Sequence, residues 1–196
     1  MQLLDAQRPA VAMPALKSTP LARYSRGFAI RTARAAECAA LGQLIVEAYS
    51  QLPGFPRRSE QPAYYELLAN VGRFSVKPGV RVLVALTQRN ELVGGVVYFG
   101  DMAEYATGGT ATSLTHTSGV RLLAVDPRFQ GMGAGKALML ACIDLARAQG
   151  HSEVVLHTTA AMKTAWQLYG RLGFVRSEDL DFSQQGLPVF GFRLSL

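Results

Sequence analysis

Residues Arg128–Lys136 read RFQGMGAGK, with three glycines inside five positions, and they directly follow a strand-like stretch, VRLLAVDP, at residues 120–127. A strand, a glycine turn and the first turn of a helix together make a backbone that can hold an anion. The first amides of a helix have no intrahelical acceptor, and glycines let successive N–H groups converge with no Cβ atoms in the way. Two nucleotide patterns can be tested by counting. A P-loop aligned on Gly135 and Lys136 needs glycine at position 130 and a hydroxyl at 137, where Gln130 and Ala137 stand. A dinucleotide fingerprint starting at Gly131 needs glycine where Lys136 stands. Neither fits.

Outward from this segment the chain alternates regularly. Residues 135–149 carry Leu138, Ala141, Leu145 and Ala148 at helical spacing and end at Gly150. EVVLHT follows as a strand, AMKTAWQLYGRL as a helix closed by Gly173, and FVRSE and VFGFRLS as two last strands. Upstream, FAIRTA reads as a strand. Residues 35–50 form a helix through Cys38, Leu41, Ile45 and Ala48, and AYYELLANVGRF a shorter one. VRVLVAL and LVGGVVYF are two strands joined by TQRNE, a hairpin-length loop. The expected order is βααβββαβαββ in a single α/β domain over residues 27–196. Its sheet is mixed and largely antiparallel, with six to seven strands and flanking helices. Residues 1–26, interrupted by Pro9, Pro14 and Pro20, read as a flexible leader.

Composition narrows the function classes. At 196 residues and 49% hydrophobic, the chain can build one sizeable core. Its net charge of +6 is concentrated at the N-terminus. Residues 1–34 hold six of the twenty basic residues and one acid, which leaves fourteen basic against thirteen acidic residues beyond them. The body therefore lacks the basic stripe that a nucleic-acid partner requires. No apolar run approaches the roughly 18 residues of a membrane span, so no membrane partner is expected. Cys38 and Cys142 have no metal-site or disulfide spacing, so no metal is expected and the two thiols suit a reducing cytoplasm.

A third pattern does fit the glycine segment. VDPRFQGMGAGKALM resembles the acyl-CoA pyrophosphate loop of the GNAT superfamily of N-acetyltransferases, which runs Arg or Gln, two residues, Gly, one residue, then Gly or Ala. Gln130, Gly133 and Gly135 fill it. Downstream, AWQLYGRLGF resembles that family's second signature, with Ala165, Leu168, Tyr169, Gly173 and Phe174 in register. The likeness extends over residues 27–195 and shares the element order.

The resemblance implies a set of roles. Acetyl-CoA is the cosubstrate, with its diphosphate on the loop Gln130, Gly131, Met132, Gly133, Ala134, Gly135 and Lys136. Its pantetheine arm lies along Leu123, Ala124 and Val125, where strands four and five separate, and glycine at 133 is a requirement of close contact. Tyr169 is implied as the acid that protonates the departing thiolate, although from its position alone it reads as a core aromatic at a helix end.

Two departures stand out. Met162 replaces an asparagine that often bonds the cofactor, and Gly119 replaces a glutamate that often helps deprotonate the amine. The base then has to come from Asp101, Glu104 or His116 in the long segment before strand four, or from a water chain to backbone carbonyls. His116 has the reference pKa nearest working pH. The acceptor site is implied by PGFPRRSEQPAYY and GDMAEYATGGTATSLTH, which contain acids, bases and aromatics in no decisive proportion. The expected function is transfer of acetyl from acetyl-CoA to a primary amine, of a small molecule or a protein, by direct attack in a ternary complex. A non-catalytic acyl-CoA sensor of the same fold is the alternative. A homodimer is kept as an expectation, since a dimer interface is one place the leader could dock.

Overall fold

The sheet is built from its most apolar runs. Val80–Thr87 (β2) and Leu92–Phe99 (β3) are buried along almost their whole length and pair antiparallel, so they form the interior of the sheet. The structure, a computed structural model, describes residues 27–105 and 108–196; the leader expected at residues 1–26 lies outside them. Phe28–Thr32 (β1) pairs with β2, and β3 pairs on its other side with Thr117–Val125 (β4). Among the described residues the one parallel contact joins β4 to Glu153–Thr158 (β5), and the crossover between them carries a helix, Ala134–Ala148 (α3), as a parallel pair requires.

Ala35–Ser50 (α1) and Pro62–Ala69 (α2) cover one face of the sheet, and α3 with Lys163–Arg171 (α4) covers the other. Two cores result. Leu41, Ile45, Tyr65 and Leu68 meet Val82, Val84 and Val97 on the first face. Leu138, Cys142 and Tyr169 meet Val96, Val154 and Leu156 on the second.

The sheet has eight strands where six to seven were expected. Val175–Arg176 (β6) is only a two-residue pairing against Leu187–Ser195 (β8), and the extra strand is Phe182–Gln184 (β7), in a hairpin with β8. The hairpin turns on Gln185 and Gly186, both at positive φ (50° and 83°), the form a tight two-residue turn needs. Three residues are too few to show an alternation, which is why β7 leaves no trace in the sequence pattern.

The irregularity that positions the site lies in β4. Gly95 pairs with Ala124 and Val97 with Arg121, so Val96 faces two residues, Leu122 and Leu123. Leu122 sits at φ 57°. This is a β-bulge, and it puts two consecutive side chains on one face: Arg121 over the rings of Phe74, Phe99 and Tyr105, and Leu122 in the core beneath α1.

Candidate active site

β4 and β5 begin side by side and then part. Their pairing runs from Thr117 with Glu153 to Val120 with Leu156 and stops there, which leaves Arg121–Val125 without a β5 partner. The Asp126 N–H donates to the Val93 carbonyl on the β3 side at 2.8 Å. Since successive peptide groups of a strand point to opposite edges, Ala124 also faces β3, while Leu123 and Val125 aim their N–H and C=O groups into the opening. An open strand edge inside a domain leaves polar groups to be satisfied by something that enters it. Of the three β4 residues expected at the cofactor, Leu123 and Val125 are therefore offered to the opening. Ala124 is turned away, with its methyl buried in the α1 core.

At the same end of β4 the chain makes a one-turn 3-10 helix, Pro127–Phe129, capped by the Asp126 carboxylate, which accepts from the Arg128 N–H at 2.9 Å. Gln130 is exposed after it. Gly131 and Gly133 then hold φ of 77° and 92°, and Gly133 caps α3. The first intrahelical bond is Ala137 N–H to the Gly133 carbonyl at 3.0 Å, so the amides of Ala134, Gly135 and Lys136 point out of the helix end. A Cβ on Gly131 or Gly133 would meet no atom within 4 Å. Their backbone conformation favours glycine at both positions. Met132 is 59% exposed at the lip of the loop, and Lys136 is exposed on the first turn of α3.

Tyr169 lies at the end of α4, in the core on the α3 and α4 face of the sheet. It is 6% exposed, packs its ring against Phe174 and Phe192, and is fixed by the turn ending α4, where the Phe174 N–H returns to the Tyr169 carbonyl at 3.0 Å. Burial raises its pKa well above the ordinary tyrosine range, and the neighbouring Cys142 adds to the shift. Tyr169 in turn helps to raise Tyr49 and Tyr105, which belong to the core on the opposite face of the sheet. Trp166 is a packing residue, edge-on to Phe190 and Phe192, with its Nε1–H on the Thr159 carbonyl at 3.0 Å.

A family model described as the acetyltransferase (GNAT) family matches residues 38–174. The chain belongs to the GNAT acetyltransferase family. Over 73 residues it is 40% identical to N-acetylaspartate synthetase of Danio rerio, covering 37% of this chain and 26% of that protein. It is 47% identical over 57 residues to mycothiol acetyltransferase of Arthrobacter sp. (strain FB24), 29% of this chain and 18% of that one. The match thus spans about a quarter or less of these relatives. Among solved structures it is similar to PaiA N-acetyltransferase of Thermoplasma acidophilum in complex with coenzyme A, with a TM-score of 0.68 at 13% identity over 87% of this chain and 100% of that one.

On the α1 and α2 side of the GNAT opening lies a second chamber. An open groove of about 540 Å³ between the α1–α2 loop and the β7–β8 turn is lined by Phe55, Arg57, Glu60, Gln61 and Leu187. It shares Phe55, Gln61 and Leu187 with a narrow inner pocket of about 60 Å³ that reaches Arg121, Leu122, His157 and Thr158. Tyr49, Phe55 and Tyr64 form an aromatic wall there, with ring centroids 5.5 to 6.4 Å apart.

Thr158 and Thr159 are 2% and 6% exposed, and both Oγ1 atoms are buried without a hydrogen-bond partner among the described residues. A buried hydroxyl left unpaired costs about 1–3 kcal/mol, so Thr158→Val should leave the melting temperature of the free protein unchanged or higher, measured by calorimetry. The same variant should weaken binding of acetyl-CoA or acceptor if that hydroxyl is used.

The three base candidates line neither the groove nor the inner pocket. His116 is exposed at φ 54°, where its carbonyl accepts from the Ser152 N–H at 2.8 Å. It precedes the paired end of β4, roughly 30 Å of extended strand from Val125, so the structure does not bring it to the opening. Asp101 caps a 3-10 helix by accepting from the Ala103 N–H, and Glu104 is paired with Lys77 at 2.7 Å. Gly119 could not carry a glutamate, because even a Cβ there would lie 2.3 Å from the ring of Tyr105.

What the sequence reading missed is His157, near the open end of β5. Its Nε2 lies 2.9 Å from the Leu180 carbonyl and its Nδ1 3.0 Å from the Tyr105 hydroxyl. A carbonyl can only accept, so Nε2 carries the proton, and Nδ1 accepts from Tyr105. Among the described residues no group of three or more His, Cys, Asp or Glu side chains could hold a metal, and no helix is long and apolar enough to cross a membrane.

Proposed function

We propose that this chain transfers an acetyl group from acetyl-CoA to a primary amine, by direct attack with both substrates bound. The observation that carries the reading is one continuous feature: an unpaired half-strand, Arg121–Val125, running into a glycine turn whose helix presents three outward amides.

The residues fit the cosubstrate in chemical type. Leu123 and Val125 would pair with the amides of the pantetheine arm in place of a strand, and Gly131 to Lys136 would hold the diphosphate, helped by the positive end of α3. Acetyl-CoA supplies an acetyl thioester, at which a C–N bond forms and the C–S bond breaks. Tyr169 would give its proton to the leaving sulfur, and the inner pocket would hold the amine between the aromatic wall and His157. Neither cysteine suits a covalent intermediate. Cys142 is fully buried, with burial pushing its thiol pKa well up, and Cys38 lies on α1 hydrogen-bonded to the Arg34 carbonyl.

The substrate's amine belongs to a molecule that enters by the groove between the α1–α2 loop and the β7–β8 turn. Incubation with acetyl-CoA and a panel of polyamines, amino acids, aminoglycosides and peptide N-termini, read as free CoA thiol and as a 42 Da mass gain of the amine (roughly one acetyl for one proton), tests the reading. Release of thiol matched by acetylated amine supports it. Tight CoA binding with no turnover on any amine would favour the sensor alternative.

A further inference from the structure

We infer that the acceptor carries a carboxylate beside its amine, as an amino acid does, and that Arg121 and Tyr49 recognise this carboxylate in the inner pocket. The inference rests on the acetyltransferase reading and names the class of its second substrate.

The charge of the inner pocket is one-sided. Among the described residues that line it, none is Asp or Glu, and Arg121 is the one permanent cation. A polyamine entering there would set its ammonium groups beside positive charge, with no carboxylate to offset the water they leave behind. A carboxylate meets the opposite. Arg121 is only half-buried, so a ligand in the pocket can reach it. Its side chain is held in position by donating to the Tyr105 carbonyl at 2.7 Å and by the rings of Phe74, Phe99 and Tyr105, 5.7 to 6.0 Å from its Cζ. Its charge is felt by other lining groups. Burial raises the hydroxyl pKa of Tyr49 and of Tyr64, and Arg121 opposes both shifts; burial lowers the pKa of His157, and Arg121 adds to that shift.

Neutral donors stand beside this charge. Tyr49 and Gln61 also line the pocket and are 6% and 8% exposed. Among the described residues neither the Tyr49 hydroxyl nor the Gln61 side-chain amide has a hydrogen-bond partner. Polar groups so deeply buried are normally paired, and both of these can donate to a carboxylate oxygen. His157 adds no such donor, because its two nitrogens are engaged by Tyr105 and Leu180.

The position suits the reaction. Arg121 is the first residue past the last β4–β5 pair, Val120 with Leu156. An amine one carbon from a carboxylate held there is set at the start of the half-strand along which the cosubstrate would lie. The inner pocket, about 60 Å³, has room for such a head group, and the groove of about 540 Å³ takes the rest of the molecule. Arg57 and Glu60 balance one another in that groove, so the selection by charge is made in the inner pocket.

The test compares the common amino acids with the amines left by removing the α-carboxylate, such as phenethylamine for phenylalanine, and with spermidine. In the wild-type protein the best amino acid should exceed its matched amine about 100-fold in kcat/KM. Its carboxamide should fall with the amine although it is the less basic of the two, which separates recognition of charge from basicity. Arg121→Gln keeps a donor for the Tyr105 carbonyl and removes the charge. The ratio of amino acid to amine should then fall toward one, chiefly through KM for the amino acid, whereas a merely structural loss would lower both rates alike. Tyr49→Phe should reduce the ratio about fivefold, the loss of one hydrogen bond. The wild-type comparison needs no variant to fold. A carboxylate-free amine as the best acceptor, or an unchanged ratio in a folded Arg121→Gln, overturns this assignment and leaves acetyl transfer standing. No turnover by the wild type on any amine or amino acid overturns the acetyltransferase reading, and this inference with it.

Discussion

Tyr169→Phe is expected to lower kcat by about 10² to 10⁴ while leaving the affinity for CoA nearly unchanged, because it removes one proton donor and keeps the ring that packs on Phe174 and Phe192. The difficulty for such a donor is its acidity. Burial drives Tyr169 well above the ordinary phenol range, which alone would make protonation of a thiolate with a reference pKa near 8.5 steeply uphill. Cys142 shows why the transfer is still matched. Its thiol is buried close enough to Tyr169 to interact with it, and it too is pushed far up by desolvation. A CoA thiolate released beside Tyr169 would be destabilised by burial in the same sense as the phenolate, so donor and acceptor would move together. The raised pKa has a second consequence. Tyr169 stays protonated throughout the neutral and mildly alkaline range, so kcat should show no fall that can be assigned to it below pH 10. Stopped turnover with fixed CoA affinity supports this role. Full activity in a folded Tyr169→Phe would leave the residue as a core aromatic.

The half of the site legible in the sequence is the half that is local. Leu123 to Lys136 form one uninterrupted strand, turn and helix start, so spacing alone reads as a backbone that can hold an anion, while the cofactor's identity and the role expected of Tyr169 come from the family resemblance. The alternating and helical periods likewise sufficed for the order of the main elements, since each buries one face against the sheet. The acceptor half is assembled from α1, α2, β5 and the β7–β8 hairpin, segments over a hundred residues apart whose adjacency is a matter of topology.

The two histidines show the difference. His116 looked close because it enters β4, yet the opening is at the other end of that strand. His157 is forty-one positions further on, but β5 runs parallel to β4, so its last residues arrive beside the open half of β4. The signal that could have found it is the histidine in EVVLHT. Alternation puts His157 with Val155 on the α1 face, opposite Val154 and Leu156, and a polar ring on that face asks for a partner. The bulge at Leu122 had no signal that periodicity could reveal, because it shows only as a break in register against β3.

Gly133→Glu should abolish measurable CoA binding, an affinity loss of at least about 100-fold by calorimetry. Sterics are not the cause, since a Cβ at this position meets no atom within 4 Å. Two other effects act. At φ 92° any L side chain is strained, which at about 1–2 kcal/mol accounts for roughly a fivefold to thirtyfold loss if the loop shifts to relieve it. The carboxylate then adds a negative charge at the helix end whose outward amides would hold the diphosphate. Gly133→Ala carries the strain without the charge, so the gap between the two variants isolates the electrostatic part. That gap should narrow as salt is raised from 0.05 to 0.5 M, because the repulsion is partly exposed and its screening length shortens from about 14 to about 4 Å. Equal affinities for Ala and Glu would mean that no anion sits at this turn. Wild-type affinity in a folded Gly133→Glu would remove the loop from CoA binding altogether and leave the open edge of β4 without its ligand.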